Sequence, residues 1–188
     1  QNLPESLAMP AGEGDLFCAG FAWTPDGKLF VAGGTSQYND PFTGQPYMGG
    51  RLAYLYDPSD FSSTPLGTWN QQLDLEKTRW YPTVALMPDD TLLVLGGTSN
   101  TNFPDRNDYE AFLLDPFKPV NGQWQKNGPG QQTFAGPNPG PLGQYPRCHV
   151  MPDGRLFLTG MSGWSATLDH AAAPGMWQNT PRSQFDFR

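Results

Sequence analysis

The chain is poor in charge, in histidine and in cysteine. Only 15% of its 188 residues are charged, and 11 Lys and Arg stand against 18 Asp and Glu, a net charge of −7. There is no basic run, so nucleic acid and an anionic membrane surface are poor partners for it. No apolar stretch exceeds strand length, so nothing spans a bilayer as a helix and no membrane partner is expected. The opening Gln1-Asn2-Leu3-Pro4 has neither the basic region nor the apolar core of a signal peptide, and reads as the start of a processed chain. Two cysteines, Cys18 and Cys148, cannot make a disulfide scaffold and do not have zinc-ligand spacing. A disulfide between the two stays open. Convincing helical periodicity is also missing, residues 2–9 offering at most a short turn. No opposed carboxylate pair of the glycosidase kind, calcium loop of the EF type or nucleophile elbow is marked.

Glycine (22 residues), proline (20) and aromatics (13%) are plentiful, a composition that suits many short strands joined by turns. They recur in order. Aligning Pro25, Pro88 and Pro152 superposes three segments at steps of 63 and 64 residues. In each, a strand of small and apolar residues (17–23, 81–87, 145–151) meets a turn: Pro25-Asp26-Gly27, Pro88-Asp89-Asp90 or Pro152-Asp153-Gly154. Proline presets φ there, and Asp and Gly accept the remaining turn conformations. A second apolar strand follows and ends at Gly33-Gly34, Gly96-Gly97 or Gly160, completing a β-hairpin. A third strand ends in Asp57, Asp115 or Asp169, read as strand-end turn residues, and Trp69, Trp124 or Trp177 opens a fourth as a core residue. Cys18, Tyr81 and Tyr145 fall on one equivalent position, seven residues before each turn proline.

Four strands, a Gly-Gly doublet and a late Trp per module resemble the kelch repeat of β-propellers. The expected fold is therefore all-β: three four-stranded antiparallel blades over residues 1–188, with inner strands starting near 17, 81 and 145. The surplus over the usual repeat length lies in residues 37–50, 100–108 and 125–144, read as loops. Three blades do not close a propeller, since about four to eight are needed. The expectation is an incomplete propeller whose remaining blades, or another chain, complete it.

Residues 16–34 and 79–97 resemble the copper radical oxidases, the galactose oxidase and glyoxal oxidase family, and most nearly its glyoxal oxidase-like branch. Phe17-Cys18 matches the Phe-Cys pair that begins one blade, and Arg79-Trp80-Tyr81 the Arg-x-Tyr that begins the next. The resemblance implies a thioether between Cys18 and the ring carbon beside the Tyr81 hydroxyl. It makes Tyr81 a ligand of one copper ion and the seat of the catalytic radical. It also implies secretion, and oxidation of a small aldehyde or primary alcohol, including a carbohydrate end, with O2 reduced to H2O2. Cys18 and Tyr81 on adjacent inner strands would lie side by side near the axis, and a thioether ortho to a phenol eases removal of an electron from the ring.

Three positions depart from the family. Its Tyr-His pair and further His are not matched by His149 or His170, so this chain lacks the family's His ligands. Its stacking Trp is replaced by Ser99, leaving Trp164 as the candidate indole beside the cofactor, or as an ordinary packing residue. Tyr145 is followed by Pro146 rather than His; it either lines the site or packs. Arg147 either reaches a substrate oxygen or pairs with Asp153 or another carboxylate. A buried Cys most often only packs, as does an inner-strand Tyr with a bonded hydroxyl. The rival reading is a non-catalytic kelch propeller serving in binding or assembly.

Overall fold

A computed structural model describes residues 15–38, 41–42, 44, 46–62, 65–99, 109–113, 125–126, 143–159, 165–169, 171 and 176–179. Among these there is no helix, and all strand pairs are antiparallel. The first sheet contains β1 (Asp15–Trp23), β2 (Leu29–Gln37), β3 (Met48–Gly49), β4 (Ala53–Asp57) and β5 (Thr68–Gln71). The second contains β6 (Thr83–Leu86), β7 (Thr91–Leu95), β8 (Tyr109–Leu113) and β9 (Gln125–Lys126). The third contains β10 (Arg147–Val150), β11 (Leu156–Thr159), β12 (Ser165–Asp169) and β13 (Met176–Asn179). Within each, consecutive strands pair in the order β1-β2-β4-β5, β6-β7-β8-β9 and β10-β11-β12-β13.

The three hairpins close with the same backbone bonds. Gly27, Asp90 and Gly154 donate to the carbonyls of Thr24, Met87 and Met151 at 3.0, 3.0 and 2.9 Å. Those three residues in turn donate to Lys28, Thr91 and Arg155, each at 2.8 Å. The closing position needs a left-handed backbone, with φ of 80°, 64° and 84°. Aspartate can stand there because its short side chain tolerates that conformation.

Burial explains how the sheets stack. β7 reads Thr-Leu-Leu-Val-Leu and is buried throughout, because both faces of its sheet are covered. Leu92 and Val94 join Phe30, Ala32, Ala53 and Leu55 of the first sheet in one core. Leu93 and Leu95, on the opposite face, join Leu156, Leu158, Ala166 and Leu168 of the third in another. The period-2 alternation of a strand thus serves two cores at once.

Three details differ from the sequence expectation. The first sheet has a fifth strand: Met48 and Gly49 pair with Gln37 and Thr35 inside a segment read as loop. The Ser36 hydroxyl fastens it by donating to the Gly49 carbonyl at 2.9 Å. The inner ladders of the second and third sheets begin at Thr83 and Arg147, two residues after the tyrosines. Tyr81 and Tyr145 have φ of 58° and 46°, and each precedes a proline, which cannot donate to a ladder. Finally, Asp153 pairs with Arg155 at 2.7 Å across the hairpin turn, so that neighbour, rather than Arg147, takes its charge.

Candidate redox site

Cys18, Tyr81 and Tyr145 meet where the three sheets converge. Main-chain bonds fix them in series: Tyr81 N–H donates to the Cys18 carbonyl at 2.9 Å, and Tyr145 N–H to the Tyr81 carbonyl at 2.7 Å. All three have positive φ, Cys18 at 68°. A left-handed backbone at a non-glycine residue costs on the order of 1–2 kcal/mol. Three such residues at repeat-equivalent positions are a concentration of strain of the sort found at functional sites.

The side chains close the cluster. The Cys18 thiol is buried, and it is the neighbour that acts most strongly on the Tyr81 phenol. The Tyr145 hydroxyl donates to the Ala19 carbonyl at 3.3 Å, spanning from the third module to the first. Its ring lies 4.8 Å from that of Tyr81, centroid to centroid. The Trp80 indole also lies 4.4 Å from Tyr81, and it stacks on Tyr47 at 5.1 Å with an 11° interplanar angle. Tyr38 follows at 5.9 Å from Tyr47. Glycine permits the close approach of backbone beneath the site: a Cβ on Gly20 would lie 2.6 Å from the Pro82 carbonyl oxygen.

The Cys18 thiol, then desolvation, pushes the Tyr81 phenol up to about 12. Tyr38 is also pushed up to about 12, by desolvation and then by the Asp15 carboxylate to which it donates. Tyr145 is raised by desolvation. Burial likewise pushes the Cys148 thiol to about 12, keeping it protonated and unreactive at neutral pH. Cys18 and Cys148 are both free thiols, so no disulfide competes for Cys18.

A pH prediction follows from the two raised phenols. Both hold their protons more tightly folded than unfolded, where the value is 10.0. Their stabilisation is complete below pH 10 and is lost as pH rises from there through about 12. Ultraviolet titration should show two phenols ionising last, and Cys18→Ala should bring the Tyr81 midpoint down. An unchanged high-pH step in that variant would disprove the assignment.

The other sequence candidates are more scattered. His149 and Arg147 are exposed on β10. Trp164 and His170 lie outside the described residues, as do Trp124, Asp115 and Gly160. Trp69 is half-buried against Tyr54 and Tyr56. Asp57 forms a turn by accepting from the Ser59 N–H and hydroxyl, in line with its reading as a strand-end residue. Among the described residues no three His, Cys, Asp or Glu side chains gather as a metal-binding group. Sequence reasoning missed Tyr38, Tyr47 and Trp80 as neighbours of the pair. Trp80 alone carried a signal, inside Arg79-Trp80-Tyr81; the other two sit in an aperiodic segment.

No family model matches the chain. Over 154 residues it is 29% identical to the Artemisia annua protein named "Putative aldehyde oxidase Art an 7", covering 78% of this chain and 22% of that protein. A solved structure described as a novel fungal alcohol oxidase with catalytic diversity among the AA5 family, in complex with copper, superposes with a TM-score of 0.59. That match has 18% identity and covers 92% of this chain and 31% of the fungal one. The chain spans less than a third of either relative, and at this identity the superposition speaks to the fold alone. The chain is thus similar in sequence to a protein named as a putative aldehyde oxidase, and in fold to an alcohol oxidase solved in complex with copper.

Proposed function

We propose that the chain is the N-terminal part of a secreted, glyoxal oxidase-like copper radical oxidase, built as three blades of a kelch β-propeller whose remaining blades lie outside these residues. The observation that carries the proposal is the Cys18 thiol set against the Tyr81 phenol, from neighbouring modules and joined through the Tyr81 N–H to Cys18 carbonyl bond. In this reading Cys18 and Tyr81 form the thioether, Tyr81 holds the copper, and an indole covers the pair. Bound copper would supply one oxidising equivalent and a Lewis acid. The histidine donors would come from the remaining blades, because Tyr81 is the only metal-holding residue assigned here. Trp80, in contact with Tyr81, supports an indole at the site from within the motif itself, so Trp164 is not required for that role.

This chain's residues would store and shield the second oxidising equivalent. A thioether places sulfur electron density on the Tyr81 ring, and the neighbouring Tyr145 and Trp80 rings cover part of it. The balanced overall reaction is primary alcohol plus O2 to aldehyde plus H2O2, or hydrated aldehyde plus O2 to carboxylic acid plus H2O2. Small aldehydes and primary alcohols, including carbohydrate ends, are the proposed substrates.

The test uses the whole protein, loaded with copper in air. Peptide mass spectrometry should find Cys18 and Tyr81 peptides joined, two hydrogens lighter than their sum and resistant to reductant. Peroxide should be released with small aldehydes or alcohols, and both Cys18→Ser and Tyr81→Phe should abolish the linked peptide. Tyr81→Phe should also abolish peroxide release. A protein that never forms the link and makes no peroxide would instead be a binding propeller.

A further inference from the structure

The proposed function leaves unused Tyr47 and Tyr38, which continue outward the row of rings begun by Tyr81 and Trp80. We infer that Tyr81, Trp80, Tyr47 and Tyr38 form a relay for single electrons between the Cys18–Tyr81 pair and the protein surface, with Asp15 as the proton acceptor at its outer end. The inference rests on Tyr81 as a redox-active phenol, but not on copper or on the thioether.

Three observations carry it. The first is continuity. Successive centroids are 4.4, 5.1 and 5.9 Å apart, so each ring is a contact neighbour of the next. Electron tunnelling falls off exponentially with distance, and short steps between oxidisable rings outrun one long jump. The second is exposure at the outer end: Tyr81, Trp80 and Tyr47 are half-buried, whereas Tyr38 is 47% exposed. A dissolved reagent can meet Tyr38 directly. The third is the placement of proton acceptors. The Trp80 indole N–H is buried with no acceptor among the described residues. An oxidised Trp80 therefore keeps its proton and remains a cation that readily takes an electron back, as a transit station should. Tyr38 instead already donates its hydroxyl to the Asp15 carboxylate. Asp15 is itself anchored, its other oxygen accepting the Phe17 N–H at 2.8 Å. Losing an electron turns a phenol into a strong acid, and Asp15 takes the proton without either group moving.

The outward step balances. A Tyr81 phenoxyl takes one electron and becomes phenolate. Tyr38 supplies that electron through Tyr47 and Trp80 and becomes a neutral phenoxyl, while its proton passes to Asp15 to give the carboxylic acid. A one-electron reductant of the ascorbate or phenol class then returns the electron, and the proton goes back from Asp15 to the Tyr38 oxygen. Run inward, an outer-sphere one-electron oxidant at Tyr38 withdraws an electron from Tyr81; a Tyr81 phenolate becomes the phenoxyl directly, and a Tyr81 phenol does so by releasing its proton to the solvent that reaches this half-buried side chain. The relay gives the stored oxidising equivalent an outlet when substrate is absent, and an inlet for recharging.

The experiment uses copper-free protein carrying Gln37→Cys, labelled beside Tyr38 with a ruthenium tris-diimine photo-oxidant; the natural thiols Cys18 and Cys148 lie buried and half-buried. After flash oxidation with an irreversible quencher, a nitroso spin trap marks radical sites and peptide mass spectrometry locates them. Adducts are expected at Tyr38 and at Tyr81. Trp80→Phe should lower the Tyr81 adduct at least fivefold while the Tyr38 adduct is kept or rises, and Tyr47→Leu should do the same without touching Trp80. Asp15→Asn should lower both. Absence of a Tyr81 adduct in the parent, or one unchanged in both interrupted variants, overturns the relay. Because the readout needs neither copper nor the thioether, failure of the copper-loaded protein to form the link and release peroxide would sink the oxidase reading and leave the relay standing.

Discussion

Replacing Arg79 with alanine should destabilise the protein by about 3–5 kcal/mol, near the upper end for a single substitution. Arg79 is a fully buried side chain, and its guanidinium donates to the Gly96 carbonyl at 2.7 Å. Its backbone is equally engaged, N–H to the Gly50 carbonyl at 2.9 Å and C=O from the Gly34 N–H at 3.1 Å. Truncation would leave a cavity the size of an arginine and strip a buried carbonyl of a charged donor, and each loss is costly on its own. Arg79→Lys keeps the charge but not the fork of donors, and should fall between parent and alanine. Urea denaturation measures the effect; an alanine variant within about 1 kcal/mol of the parent would refute this account. Sequence comparison alone presents Arg79 as part of a catalytic motif, whereas its contacts are those of a strut beneath Trp80 and Tyr81.

Gly34→Ala should cost about 3 kcal/mol or more. A Cβ there would sit 2.2 Å from the Asp15 carbonyl oxygen and 3.2 Å from the Leu16 Cα, both backbone atoms that cannot rotate aside. The position also has φ of 111°, outside the left-handed well that other residues sometimes occupy. Gly27→Ala is the control. Its φ is 80° but a Cβ meets nothing within 4 Å, so only backbone strain of about 1–2 kcal/mol is expected. Comparing denaturation midpoints separates collision from strain; equal losses at the two sites would mean that β1 yields freely at Asp15.

Much of the antiparallel framework was legible because its determinants are local. The Pro-Asp-Gly turns, the period-2 apolar runs and the Gly-Gly doublets each act over a few residues, and repetition amplified them. The same repetition singled out Cys18, Tyr81 and Tyr145. What it could not reveal depends on contacts between segments with no pattern of their own. Tyr38 and Tyr47 flank a mostly polar stretch with two prolines and no regular period, and only the pairing of Met48 and Gly49 with β2 brings Tyr47 onto Trp80. Asp153, one of the partners left open for Arg147, is taken for the opposite reason. Arg155 lies two residues away across a tight turn, and proximity along the chain decided the partner. The late start of the inner ladders at Thr83 and Arg147 reflects backbone torsion, to which residue patterns are nearly blind.

The main-chain bonds that link Cys18, Tyr81 and Tyr145 in series also bear on how such chemistry is inherited. None of the three needs its side chain to make that connection. A serine or phenylalanine can therefore replace the thiol or phenol while the modules remain registered, so the reactive pair is an option carried by a scaffold that does not depend on it. A lineage can discard the oxidation chemistry by a single codon change and keep the folded protein, ready to be selected for some other use.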